Sequence, residues 1–186
     1  MTPASQSKRK KTAPAARPEV RGRRAAAPVD LGRALVDAFL TNERINQVLL
    51  DLVEPRIWRL APACSERRNI ATTFSHMHNV RCMYARSAGY AAPLAKLERA
   101  TVTPGQARAA LAASARALAE VIETACAHGG KVRGVPLDAA GFVCLALTHE
   151  AHHRGQICHW ARALGAPIQG QHRLWEWHKR AREIAR

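Results

Sequence analysis

The residues best suited to chemistry in this chain are its histidines, of which there are nine. His149 and His153 lie four residues apart in a segment whose apolar spacing predicts a long helix. Because an α-helix turns by about 100° per residue, the two imidazoles face the same side, one turn apart. Two buried imidazoles need partners for four ring nitrogens, and a divalent cation could take one nitrogen from each. The same side carries the residues that we expect to face a core: Phe142, Leu145, Gln156, Trp160 and Leu164.

A third ligand is available on the preceding half of the chain. His76 lies at one edge of the apolar stripe of a second predicted helix, in line with Val80 and Met83. Three histidines from two helices would form a facial site whose remaining positions are open to water or substrate. Such a nitrogen donor set suits zinc, nickel or iron. His78, at the other edge of the stripe, and His152 are alternative ligands if either helix is rotated.

Two other interpretations of the same residues compete with an open metal site. Residues 149–153 read H-E-A-H-H, which matches the H-E-x-x-H pattern of zinc proteases, with Glu150 as general base. The helical step turns Glu150 away from the histidine face, so we rank this interpretation lower; Glu150 could instead accept the free N–H of a liganding histidine. The second competitor is a metal-free polar network of His149, His153 and Gln156 inside the core.

Two neighbours of the histidines receive provisional roles. Gln156 faces the same side as the ligands, one turn beyond His153, and we predict that it orients substrate or water in catalysis. The alternative for Gln156 is a hydrogen bond that holds one of the ligands. Arg154 leaves the face by about a third of a turn, which favours an ion pair or helix packing over contact with an anion.

The elements that must position these residues are all helical. Thr103, Pro104 and Gln106 form a capping box with proline at the first helical position, and Asp30 is a second N-cap candidate. No segment has the two-residue period of a strand, so the sequence predicts an all-α four-helix bundle with an extra short C-terminal helix. The predicted helices span residues 31–54, 66–87 with Ser65 as N-cap, 104–127, 138–164 and 174–184, in a domain covering 28–186.

Charge separates the tail from this domain. Residues 1–27 contain eight basic residues and one acidic residue, so they hold +7 of the formal charge of +15. Their composition predicts a disordered basic tail. Such a tail could contact nucleic-acid phosphates, although it offers no aromatic side chain on which a base could stack.

The cysteines indicate a compartment. There are five, an odd number, and no C-x-x-C pair occurs, which argues against a disulfide framework and favours a reducing environment. No apolar run is long enough for a membrane span, and no apolar stretch follows the basic N-terminus as in a secretory signal. We therefore expect a cytoplasmic protein.

Two motifs resemble a known family. Residues 149–157 read H-E-A-H-H-R-G-Q-I, which resembles the H-x-x-x-H-R-G-Q signature of the DinB family, named after a DNA-damage-inducible bacterial protein. Residues 74–81 resemble that family's second-helix motif, and residues 141–143 and 174–177 also fit. The resemblance covers about residues 30–186, in order and with suitable spacing.

The resemblance implies a four-helix bundle that holds one divalent metal through His76, His149 and His153, often as a homodimer. The wider superfamily includes thiol-dependent transferases and isomerases that use glutathione, mycothiol or bacillithiol, and many members without known activity. We therefore expect a metal-dependent thiol transferase or hydrolase acting on a small molecule. The alternative is a non-enzymatic metal-binding or stress-response protein whose basic tail contacts nucleic acid.

Overall fold

Four long helices and one short helix make up the folded part of the chain. The computed structural model describes residues 28–65 and 68–184. Short 3-10 helices at Pro55–Ile57 and Gln171–Trp175 follow the first and fourth long helices. Within the described residues there is no strand, so the predicted all-α bundle is confirmed. The α-helices are α1 (Leu31–Leu52), α2 (Ile70–Ser87), α3 (Pro104–Ala127), α4 (Ala139–Ala163) and α5 (Trp177–Ile184).

Three of the helix starts follow from side-chain caps visible in the sequence. The Asp30 carboxylate accepts the backbone N–H of Arg33, and Asp138 does the same for Gly141 at the start of α4. Thr103 and Gln106 form the predicted reciprocal capping box at the start of α3. These caps satisfy backbone donors that the first helical turn leaves without partners.

The predicted start of α2 is wrong. The helix begins at Ile70 and not near residue 66, because Asn69 is its N-cap. The Asn69 side chain accepts the N–H of Thr72, and the Thr72 hydroxyl accepts the N–H of Asn69. Asparagine caps as well as serine does, and threonine replaces the usual Glu or Gln of the box. Ser65 instead accepts the N–H of Arg68 in the preceding loop.

The buried stripe of α4 is rotated from the predicted one. Leu145, predicted to face the core, is 38% exposed, whereas Glu150 is only 2% exposed. The sequence did not indicate that Glu150 is buried, because carboxylates are seldom buried unless they are paired. The buried residues of α4 are Ala139, Phe142, Val143, Glu150, His153, Ile157, Trp160 and Ala161.

Glu150 is buried because Arg81 of α2 pairs with it. Arg81 donates from Nε to Glu150 Oε1 and from Nη2 to Oε2, both at 2.7 Å, in a bidentate pair. Burial alone would raise the pKa of Glu150, but the charge and hydrogen bonds of Arg81 outweigh burial and hold that pKa below its usual value. The carboxylate therefore stays ionised inside the bundle.

Helix α1 completes the coordination of this ion pair. The amide nitrogens of Asn42 and Asn46 donate to Glu150 Oε2 at 2.5 Å and 2.6 Å. Their amide oxygens accept hydrogen bonds from Arg154 Nη1, each at 2.7 Å. Arg154 is thus a helix-packing residue that links α4 to α1, in agreement with its predicted role.

A second carboxylate balances the charge of the layer. Glu43 Oε2 lies 2.7 Å from Arg81 Nη1, an ion contact whose angles fall outside hydrogen-bond geometry. Arg81 Nη1 also donates to the backbone oxygen of Leu111 in α3, at 3.0 Å. Two arginines and two glutamates therefore share this layer, to which α1, α2 and α4 contribute side chains and α3 contributes a backbone oxygen. We call Asn42, Glu43, Asn46, Arg81, Glu150 and Arg154 the ion layer.

The ion layer separates two apolar layers of the core. One contains the second half of α1 and the first half of α2, and the other contains the opposite halves of these helices. The first, which we call the Trp160 layer, is built from Leu49, Trp58, Phe74, Met77, Leu111, Ile157 and Trp160. The second, the Phe142 layer, is built from Val36, Phe39, Ala85, Leu118, Ile122 and Phe142.

The two layers define the topology. Helices α1 and α4 run from the Phe142 layer to the Trp160 layer, whereas α2 and α3 run the opposite way. Each of α1 and α2 packs against both α3 and α4. Because α2 and α3 are parallel, their connection at residues 88–103 must return along the bundle, past a helix about 27 Å long.

The C-terminal segment packs through Leu174 and α5. Leu174 packs on the Trp160 layer and α5 lies against α1. Trp175 is 82% exposed and Trp177 is 36% exposed, so neither side chain is buried against the bundle. The basic tail, residues 1–27, lies outside the described residues. No helix among the described residues is long and apolar enough to cross a membrane.

The ion layer predicts the effect of removing one charge. Glu150→Gln should lower the free energy of unfolding by about 3 kcal/mol, because a buried arginine loses a charged partner. Urea denaturation followed by circular dichroism measures this change. The control Glu123→Gln, on the exposed side of α3, should change stability by less than about 0.5 kcal/mol. A loss below about 1 kcal/mol at position 150 would show that the ion pair does not hold the helices.

Candidate metal centre

Three imidazoles from two helices converge between α2 and α4. His149 Nε2 lies 3.0 Å from His153 Nε2 and 3.3 Å from His76 Nε2. One ring nitrogen from each histidine lies within 4.8 Å of the others. The structure therefore brings together the three histidines that the helix-face prediction and the family resemblance both selected. Two of them lie on α4 and one lies on α2. We call His76, His149 and His153 the histidine cluster.

The spacing of these nitrogens fits a common cation. Two nitrogens that each bind a metal at about 2.1 Å, with angles between 90° and 110°, are roughly 3.0–3.4 Å apart. The two measured separations fall in this interval. A hydrogen bond would account for only one of the two contacts at His149 Nε2, since that nitrogen carries either a proton or a lone pair. A cation accounts for both contacts.

The imidazoles are held in the neutral form that metals require. Burial, followed by repulsion from His153 and His149, lowers the pKa of His76 to about 4. Burial is also the main cause of the lowered pKa values of His149 and His153. Neutral imidazoles present lone pairs at pH 7, so the cluster needs little proton release to bind a cation.

Gln156 determines which nitrogen of His153 faces the cluster. Gln156 Oε1 lies 2.8 Å from His153 Nδ1. An amide oxygen can only accept, so Nδ1 carries the proton and Nε2 presents its lone pair to the other two histidines. This contact corresponds to the ligand-holding alternative considered for Gln156, and it leaves the amide nitrogen available.

The alternative ligands lie elsewhere. His78 is buried on another side of α2, where Nδ1 lies 3.1 Å from the Ser114 hydroxyl and Nε2 lies 2.9 Å from the Ala95 carbonyl oxygen. His152 is exposed, and neither residue belongs to the histidine cluster. Neither His78 nor His152 therefore replaces a member of the histidine cluster.

The zinc-protease interpretation fails on the position of Glu150. Its carboxylate is 2% exposed and accepts hydrogen bonds from Asn42, Asn46 and Arg81. A general base must reach the water or substrate that it deprotonates. Glu150 reaches neither, and it does not accept from a ligand histidine either. The H-E-x-x-H match is a coincidence of spacing in which the glutamate serves the ion layer.

A pocket of about 220 Å³ opens beside the cluster, at the N-terminal end of α2. Sequence reasoning found the histidines and the glutamine of this pocket but missed its two arginines. Arg68 and Arg99 lie in loops, and no periodicity indicates which way loop residues face. The pocket is lined by Arg68, Thr72, Thr73, His76, Arg99, His153 and Gln156.

Side chains of α2 fix the loop that carries Arg99. Asn79 binds Leu97 at two points, accepting its N–H at 2.9 Å and donating to its carbonyl oxygen at 3.1 Å. His78 contacts the carbonyl of Ala95 two residues earlier. The connection at 88–103 is thereby held along the side of α2 that leads to the pocket.

Most of the described domain matches the sequence pattern of one known family. A sequence model described as the DinB family matches residues 41–182, which begin within α1 and end within α5. The chain belongs to the DinB family. No curated protein and no solved structure shows significant similarity to it. The matched DinB region contains the whole histidine cluster and the whole ion layer, so both are features of the family domain in this chain.

Proposed function

We propose that this DinB protein binds one divalent metal ion through His76, His149 and His153. The single observation that carries the proposal is the convergence of three neutral imidazole nitrogens at separations suited to a shared cation. Zinc, nickel and iron all accept three nitrogen donors. The pocket beside the cluster gives water or substrate access to the remaining coordination positions.

We propose further that the centre is catalytic, as a metal-dependent thiol transferase or hydrolase. A bound divalent cation would act as a Lewis acid and lower the pKa of a thiol or water. Gln156, whose oxygen is engaged by His153, lines the same pocket and has an amide nitrogen that can donate to substrate or water. The neighbouring arginines favour negatively charged species near the cluster.

The competing proposal is a non-enzymatic metal-binding or stress-response protein. Its contact with nucleic acid depends on the basic tail, which stays a prediction, as do the homodimer and the cytoplasmic location. The pocket favours the enzyme, because a purely structural metal site is closed to solvent whereas a catalytic site keeps an open position.

Metal uptake tests the ligand set. His153→Ala removes a cluster nitrogen, so the bound metal should fall from about one equivalent to near zero. His152→Ala, the adjacent exposed residue, is the matched control and should leave metal content unchanged. Elemental analysis of protein purified without an affinity tag gives both values. Equal metal contents in the two variants would contradict the assignment of ligands.

Gln156 should affect the affinity for the metal without changing the number of ions bound. Gln156→Leu removes the acceptor at His153 Nδ1 and should weaken metal binding about 10–100-fold without changing its stoichiometry. Gln156→Glu retains an acceptor oxygen and should keep most of the affinity. Competition with a chromophoric chelator measures both. If the leucine and glutamate variants weaken binding equally, the hydrogen bond to His153 is not what matters.

An open coordination position distinguishes the enzyme from the non-enzymatic metal-binding or stress-response protein. In protein loaded with Co²⁺, titration with glutathione and with 2-mercaptoethanol should produce a saturable thiolate-to-metal absorption band in the near ultraviolet. A spectrum unchanged by either thiol at millimolar concentration would refute the thiol transferase and favour a closed, non-enzymatic site.

A further inference from the structure

The pocket beside the histidine cluster has a strongly cationic side. Arg68, directly before the N-cap of α2, and Arg99, in the connection between α2 and α3, line it together with His76 and His153. None of the described residues that line it is a carboxylate. Two guanidinium groups and two imidazoles therefore share a small cavity without an anion from the described protein.

The charges of both arginines act on the pocket. Arg68 and Arg99 line the same cavity as His76 and His153, so both positive charges lie next to the histidine cluster. Arg99 forms no ion pair with any carboxylate in residues 28–65 or 68–184. Its guanidinium fork, which matches a carboxylate or phosphate group in shape, is not satisfied by the described protein.

The backbone that carries Arg99 is held in place before any ligand arrives. The two hydrogen bonds between Asn79 and Leu97 hold the backbone two residues away from it. Arg59 Nη1 also donates to the backbone oxygen of Arg99 at 3.4 Å. Because the backbone of this loop is already ordered, binding of a ligand by Arg99 would cost only the entropy of its side chain, which favours binding.

We propose that Arg68 and Arg99 form an oxyanion subsite, which binds the carboxylate or phosphate group of a small substrate beside the histidine cluster. The volume of about 220 Å³ holds roughly seven water molecules, enough for a small organic acid or for one anionic end of a larger molecule. The anion itself would bind to this chain's own arginines. That the rest of the molecule reacts at the cluster rests on the proposed function.

Calorimetric titration of the full chain with inorganic phosphate and with succinate tests the subsite. The titrations are made at constant ionic strength on metal-free and on Zn²⁺-loaded protein. We expect saturable binding of at least one anion, with Kd weakened about 10-fold or more in Arg99→Gln and in Arg68→Gln. The better ligand of the two identifies the subsite as one for phosphate or for carboxylate.

The control is Arg116→Gln, an exposed arginine of α3 outside the pocket. It should bind both anions as the wild type does. Equal affinity in wild type, Arg68→Gln and Arg99→Gln overturns the proposal, and so does an equal loss in Arg116→Gln, which would indicate a general charge effect. Absence of binding by the wild type to both anions overturns it as well.

The two proposals fail in different ways. If the wild type takes up no metal but metal-free protein binds phosphate or succinate through Arg68 and Arg99, the metal centre is wrong and the subsite stands. If metal binds with one equivalent and the arginine variants keep wild-type anion affinity, the metal centre stands and the subsite is wrong.

Discussion

The bidentate ion pair between Arg81 and Glu150 is the constraint on which the site depends. Both oxygens of Glu150 are engaged by donors from α1 and α2, so α4 has only one rotation that satisfies them. In that rotation His149 and His153 lie on the same flank of Glu150, separated from it by about 100° and 60°. They consequently face α2, where His76 lies. The ion pair of Arg81 and Glu150 therefore determines the geometry of the histidine cluster, although neither residue belongs to the cluster.

Such a layer costs stability as well as providing it, since each buried charge loses its hydration. The cost is limited here because the positive charges of Arg81 and Arg154 balance the negative charges of Glu43 and Glu150. Two asparagine amides also link Arg154 to Glu150 by hydrogen bonds. An apolar layer of equal volume would tolerate several helix registers, whereas hydrogen bonds of fixed direction tolerate one. The ion layer therefore specifies the structure, and the Trp160 and Phe142 layers on either side supply most of the apolar burial.

The sequence predicted the parts of this design that depend on local signals. Caps at Asp30 and Thr103 gave helix ends, and the four-residue spacing of His149 and His153 gave a shared face. The ion layer was not predicted, because Glu150 pairs with residues of helices that are distant from it along the chain. The arginines of the pocket were not predicted for a related reason. Contacts with α2 determine the path of residues 88–103, and no residue pattern within this connection indicates that path.

The engagement of Glu150 also constrains the chemistry. Glu150 is occupied by its donors, and no carboxylate among residues 28–65 and 68–184 lines the pocket, so none of these residues supplies an acidic general base there. Because the three neutral histidines would be bound to the proposed metal, a nucleophile would then lose its proton mainly through its own acidity and the positive charge nearby. A thiol, with a pKa near 8.5, needs a far smaller downward shift of its pKa than water does. Neutral histidines and the two arginines add no negative charge that would oppose such a shift. Within the proposed function, these features favour the thiol-dependent transferase over the hydrolase.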